Sequence, residues 1–203
     1  MPVHVAAEGN ASRAISTAFI AKTARRMLDA LQLKKAELSI LLTSDDQIKN
    51  LNRDYRHKDR ATDVLAFAMR EGAHADLAGE MLGDVVISLE TATRQAGAQG
   101  HTLREEVVFL LGHGLLHLLG WDHDTKPKDR AMRRETERLC AAAGVPAPAR
   151  PGIPTRESSR DARRARTNEP KPRPAATKTK ESPARGGAKS RAKSTERPRR
   201  KSE

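Results

Sequence analysis

Residues 113–123 read HGLLHLLGWDH, and no other stretch limits the possible folds of this chain so strongly. His113 and His117 are four apart, so on a helix they project from one face, one above the other. Gly120 ends such a helix, because glycine readily takes the left-handed conformation that closes a helix terminus. The chain then turns, and His123 can swing back toward the first two imidazoles. Residues 103–119 are strongly apolar, so the helix that carries the pair should be central and buried. Three imidazoles at one point, with a fourth position left for water, are the donor set of a catalytic zinc. The sequence therefore asks for a buried helix whose C-terminal turn reaches a solvent-accessible site.

A His-x-x-x-His pair alone is a weak signal, equally compatible with packed or surface histidines. The third histidine and the glycine sharpen it. The spacing of histidine, +4 histidine, +7 glycine and +10 histidine is that of the metzincin pattern H-E-x-x-H-x-x-G-x-x-H. One position departs from a peptidase: the glutamate that acts as general base in that pattern is Gly114 here. The metal geometry is kept and the peptidase base is missing, which disfavours a zinc peptidase.

The rest of the chain predicts an α+β domain over residues 1–145, with about four strands in a small mixed sheet and about five helices packed on it. Strands are expected over residues 3–7, 37–43, 64–69 and 82–88. A helix capped by Ser12 should run to about Leu31. A second, opened by Ser44 with Gln47 three residues on, should reach about Tyr55. A loop should follow over residues 56–62 and another over 71–81. Further helices are expected up to about Ala98, over 103–119 and over 127–143, the last ended by Gly144.

The formal charge of +12 is confined to the end of the chain. Residues 1–144 carry 20 Lys+Arg and 20 Asp+Glu, whereas residues 145–203 carry 18 and 6. The latter segment has no aromatic residue, and Val145 and Ile153 are its only large aliphatics. It cannot bury enough apolar surface to offset the entropy of ordering, so residues 146–203 should form a disordered basic tail. Such an arm points to phosphate contact with nucleic acid or another polyanion, the plainer alternative being a solubilising extension. The single cysteine, Cys140, has no partner for an internal disulfide and falls on an apolar helix face, as expected for a core residue in a reducing cytosol. No basic n-region followed by an apolar run opens the chain. The longest apolar run, residues 107–119, is too short and too polar to span a bilayer. The expectation is a cytoplasmic protein without membrane contact.

Three blocks carry a resemblance. They are the histidine stretch, YRHKDRATDVLAF at 55–67 and LGDVVIS at 82–88. Together, in this order and spacing, they resemble the signature of the YbeY family, bacterial metal-dependent endoribonucleases also called rRNA maturation factors. The resemblance covers about residues 3–144. It implies cleavage of single-stranded RNA, maturation of the 3′ end of 16S rRNA, ribosome quality control and one Zn²⁺ held by His113, His117 and His123. It also implies an active-site role for Arg56, with rRNA, the ribosomal subunit and ribosome-associated proteins as partners. Ala61, Ala66 and Ala68 stand where the family usually has Pro, Ser and Pro, and Gly112 replaces a larger residue. None of these removes a polar group at the metal. The basic tail lies beyond the family's usual end.

The chemistry agrees with that implication. Phosphodiester cleavage builds negative charge on the phosphorus oxygens. An arginine is always cationic and can grip two of those oxygens at once. Arg56 is suited to this, unless Asp54 or Asp59 pairs with it as an ordinary surface cation. Water and the ribose 2′-hydroxyl both remain possible nucleophiles. Asp122 and Asp124 read mainly as turn residues, with orientation of the imidazoles as the other possibility. Asp63 and Asp84 read as carboxylates that hold their loops through backbone hydrogen bonds. His4, His57, His74 and His101 read as loop histidines. A different class of function, a ribosome-associated RNA-binding or chaperone factor with a structural metal, is the alternative.

Overall fold

A computed structural model of the chain describes residues 2–9, 14–69 and 79–148. Residues 149–203 of the expected basic tail, and His74, therefore lie outside the described residues, whereas the tail's first residues, 146–148, are described and Ala147 packs on the core. Four strands are described: β1 (Val3–Ala7), β2 (Glu37–Thr43), β3 (Val64–Ala68) and β4 (Met81–Ser88). The described helices number five: α1 (Thr17–Ala30), α2 (Asp45–Arg56), α3 (Leu89–Gln99), α4 (Leu103–Leu118) and α5 (Lys126–Ala143). The strands form one mixed sheet in the order β1-β2-β4-β3. β1, β2 and β4 run parallel, and β3 lies antiparallel to β4 at the edge. The α+β expectation holds.

Side-chain alternation explains the two faces of the sheet. Leu38, Ile40 and Leu42 of β2 and Val85 and Ile87 of β4 enter the main core with α1, α4 and α5. Leu65 and Val86 face the other way and pack with Ile48 of α2 in a smaller cluster. The sheet is thus sandwiched between α2 and the remaining core helices. From Glu106 to Leu116, every residue of α4 is buried, so this helix is the centre of the domain, as its apolar sequence requires. Packing continues past α5, with Val145 buried and Ala147 against the core.

Hydroxyl caps set the helix starts. Ser16, Ser44, Ser88 and Thr102 each accept a hydrogen bond from the backbone N–H three residues on. The helix α1 starts after Ser16, whose extended backbone (φ −72°, ψ 124°) suits the cap, while the expected cap Ser12 lies outside the described residues. Thr102 adds the reciprocal arm of a capping box, its N–H donating to Glu105 Oε2 at 2.8 Å.

Two other boundaries move in ways that matter. Arg56 is the last residue of α2, not the first of a loop, and His57 closes the helix in the left-handed conformation. Met81 begins β4, where a bulge at the β2–β4 pairing leads to Gly83. Gly83 has φ +132°, and a Cβ there would stand 2.0 Å from the Phe67 carbonyl oxygen. Only glycine permits that approach of β3 to β4.

Candidate metal centre and its arginine

The last turn of α4 builds the site. Gly120 adopts φ +79°, its N–H donates to the His117 carbonyl at 3.0 Å, and the Trp121 N–H donates to the Leu116 carbonyl at 3.0 Å. This double reversal is a Schellman closure, and it turns the chain back over the helix end. Two consequences follow. The Trp121 carbonyl comes to 3.0 Å from His117 Nδ1. His123 returns to the face that carries His113 and His117.

The three imidazoles do converge. Ring centroids are 4.8 Å apart for His113–His117, 5.4 Å for His113–His123 and 5.3 Å for His117–His123. One ligand nitrogen from each lies within 4.8 Å of the others. The Nε2 atoms of His113 and His117 stand 3.2 Å apart. Two nitrogens about 2.0–2.1 Å from a tetrahedral zinc would be about 3.3–3.4 Å apart, so this pair has the spacing of two ligands on one ion.

Protonation also suits a metal. A carbonyl oxygen can only accept, so the 3.0 Å contact to Trp121 places the His117 proton on Nδ1 and leaves Nε2 as a lone pair. His113 is buried, and that burial, reinforced by His117 and His123, pushes its pKa down to about 3. Burial likewise lowers His117, with His123 and then Arg56 disfavouring its charged form. Both imidazoles are neutral at neutral pH, the form that binds metal. His113 is buried while His117 and His123 are half-exposed, so the cluster opens to solvent on one side.

The sheet explains Gly114. A Cβ at this position would lie 2.8 Å from Val85 Cγ1 and 3.1 Å from Val64 Cγ2. α4 rests directly on β4 and β3 there, so the glutamate of a peptidase motif has no room. Gly112 is less constrained, since a Cβ there would meet Thr136 Cγ2 at 3.4 Å.

Arg56, at the end of α2, lies near enough to His117 for its charge to oppose protonation there. Its Nη2 donates to the Ala66 carbonyl at 2.9 Å, which anchors the end of α2 to the edge strand. The carboxylates that might have neutralised it are engaged elsewhere: Asp54 with Arg53 at 2.9 Å and Asp59 with Lys49 at 3.5 Å. Among the described residues no carboxylate pairs with Arg56. It borders an open cleft of about 370 Å³ together with Asn52, Lys58, Arg60, Asp63 and Gln95. The surplus of cations in this lining suits an anionic strand.

The acidic residues separate into roles. Asp122 Oδ1 accepts from the His123 backbone N–H at 2.7 Å, and Asp124 pairs with Lys128 at 2.9 Å, both consistent with a turn. Asp63 holds its loop as expected, accepting from the Val64 N–H at 2.9 Å, and also receives Gln95 Nε2 at 3.0 Å. Its charge is felt at His113, a link that sequence spacing does not show. Asp84 is not a loop residue but lies within β4. His101 lies in a loop, as expected, but its Nε2 stands 2.5 Å from the fully buried carboxylate of Glu106. Cys140 is buried, as expected, and burial raises its thiol to about 12. The Trp121 carbonyl is invisible to sequence, because a backbone acceptor leaves no residue-type signal.

Comparison with known proteins agrees with this arrangement. A family model described as Endoribonuclease YbeY matches residues 6–144. A Heliobacterium modesticaldum protein named Endoribonuclease YbeY is 46% identical over 121 residues, covering 56% of this chain and 73% of that protein. One of the same name from Geobacter metallireducens is 44% identical over 123 residues, covering 61% and 82%. Another, from Anaeromyxobacter dehalogenans, is 44% identical over 150 residues, covering 70% and 74%. The match spans β2 to β4, Arg56 and all three histidines, and the chain belongs to the YbeY endoribonuclease family.

Proposed function

We propose that this chain is a zinc-dependent endoribonuclease that cuts single-stranded RNA in rRNA processing, at the 3′ end of 16S rRNA, and serves ribosome quality control. The observation that carries the reading is the convergence of His113, His117 and His123 beside an unneutralised Arg56. Family membership supports the RNA-cleaving chemistry.

His113, His117 and His123 are the residues that would hold the ion. When bound, zinc lowers the pKa of a water to about 7 and offers positive charge to a phosphoryl oxygen. The chain's own groups prepare the site. Burial keeps His113 neutral, and the Trp121 carbonyl fixes the His117 tautomer. Arg56 spends one N–H on Ala66 and keeps the rest of its donor fork for phosphate oxygens, where charge grows during cleavage. Gly114 supplies no base, so the proton acceptor is not the glutamate of metallopeptidases.

The expected partners are rRNA within a ribosomal subunit, ribosome-associated proteins and, through the basic tail, further RNA phosphates. The expected compartment is the cytoplasm. Among the described residues no helix is long and apolar enough to cross a membrane. The test is single-stranded RNA cleavage by wild type, His117→Ala and Arg56→Ala, with metal content measured on each. His117→Ala should lose metal and cleavage together. Arg56→Ala should keep its metal and lose cleavage by roughly 100-fold, the scale of one lost charge-stabilising donor. Undiminished cleavage by Arg56→Ala would overturn the role given to the arginine, and metal-loaded wild type that binds RNA without cutting it would favour a binding factor with a structural metal.

A further inference from the structure

We infer that Tyr55 and Trp121 are base-stacking platforms that hold the RNA strand beside the candidate site. This rests on the RNA-cleaving reading above. The chain has only five aromatic side chains, three Phe, one Tyr and one Trp. The phenylalanines follow the usual rule, with Phe109 buried and Phe19 and Phe67 partly buried against the cores. Tyr55 and Trp121 do the opposite, at 69% and 39% exposure. Leaving large rings in water forgoes hydrophobic stabilisation, which singles out these two positions.

Both rings are tied to site residues. Tyr55 immediately precedes Arg56 at the end of α2. Trp121 sits in the closure of α4, and its carbonyl holds His117. Tyr55 meets Phe67 edge-on at 5.2 Å and 69°, which braces it against β3 while leaving most of its surface open. The backbone of Trp121 is fixed by the bond from its N–H to Leu116. Lys58 and Arg60 follow Arg56 in the same cleft and supply phosphate attraction between bases. Exposed aromatics interleaved with cations are how proteins hold single strands without reading their sequence. Arg56 would then receive a backbone phosphate whose neighbouring bases are splayed onto rigid rings.

The test reads binding separately from cleavage. RNA oligomers of defined sequence, each with one abasic position, are titrated onto the full-length protein at high salt, where diffuse attraction by the tail is screened. Anisotropy of the labelled RNA reports affinity, and the emission of the sole tryptophan reports stacking on Trp121. Tyr55→Ala should weaken binding about tenfold, and Tyr55→Phe should restore it, because a phenyl face stacks as well. One abasic position should weaken wild type by a similar factor and leave Tyr55→Ala unaffected. Tryptophan emission should be quenched on binding, and a different abasic position should abolish the quenching. In cleavage, Tyr55→Ala should raise KM with kcat unchanged, unlike Arg56→Ala. Equal affinity of Tyr55→Ala and wild type, or tight binding with unchanged tryptophan emission, would overturn the assignment. RNA binding with stacking but no cleavage would instead refute the nuclease reading and leave the platforms standing.

Discussion

Gly114→Ala pits two physical effects against each other with opposite signs. By helix propensity alone, replacing a glycine in a helix interior with alanine stabilises by about 1 kcal/mol. The structure predicts a net loss. The new Cβ would sit 2.8 Å from Val85 Cγ1 and 3.1 Å from Val64 Cγ2, and Val85 is fully buried. A β-branched side chain has little rotamer freedom to yield, and overpacking of this kind costs about 1–3 kcal/mol. The balance is a destabilisation of about 1 kcal/mol, or roughly 2–4 °C in melting temperature for a domain of this size. Thermal and urea unfolding followed by circular dichroism would measure it. The same clash lifts α4 from the sheet and disturbs the His113–His117 spacing, so metal affinity should fall too. Val85→Ala in the same chain should recover part of the loss, with a coupling of about 0.5–3 kcal/mol. A Gly114→Ala protein as stable as wild type, or more so, would refute the packing argument.

Two further predictions concern charge. His113 titrates at about 3 in the folded protein against 6.5 for a free imidazole, because burial, then His117 and His123, oppose its charging. The unfolded chain therefore takes up the extra proton first, so metal-free stability is complete above about pH 6.5 and falls as the pH drops, by up to about 1.4 kcal/mol per unit from this residue. Urea midpoints that stay flat from pH 6.5 to 4 would contradict this. Deleting residues 150–203 should flatten the salt dependence of RNA affinity, since each phosphate that the protein no longer neutralises takes away about one unit of slope. An unchanged slope would make the tail a solubilising extension.

The site was legible because its key geometry is local. His113, His117, Gly120 and His123 lie within one helix end, and a Schellman closure is encoded by the glycine and its spacing. The sheet was legible in the apolar centre of residues 37–43 and the apolar run of 82–88. What sequence could not show is what depends on distant packing. Gly114 reads as a missing base, yet its physical reason is Val85 and Val64, from strands remote in sequence. Arg56 reads as a loop cation, yet it ends a helix and is aimed by the Ala66 carbonyl across an edge strand. His101 reads as a loop histidine, and sequence does not show that it contacts the buried carboxylate of Glu106.

If His113, His117 and His123 hold the one ion on which RNA cleavage depends, cleavage must follow metal occupancy. The direct measurement is the cleavage rate of a single-stranded RNA by chelator-stripped protein as zinc is returned. Cleavage should be absent at zero occupancy and should rise with bound zinc to a plateau at one ion per chain. A stripped protein that cleaves at the full rate would contradict it.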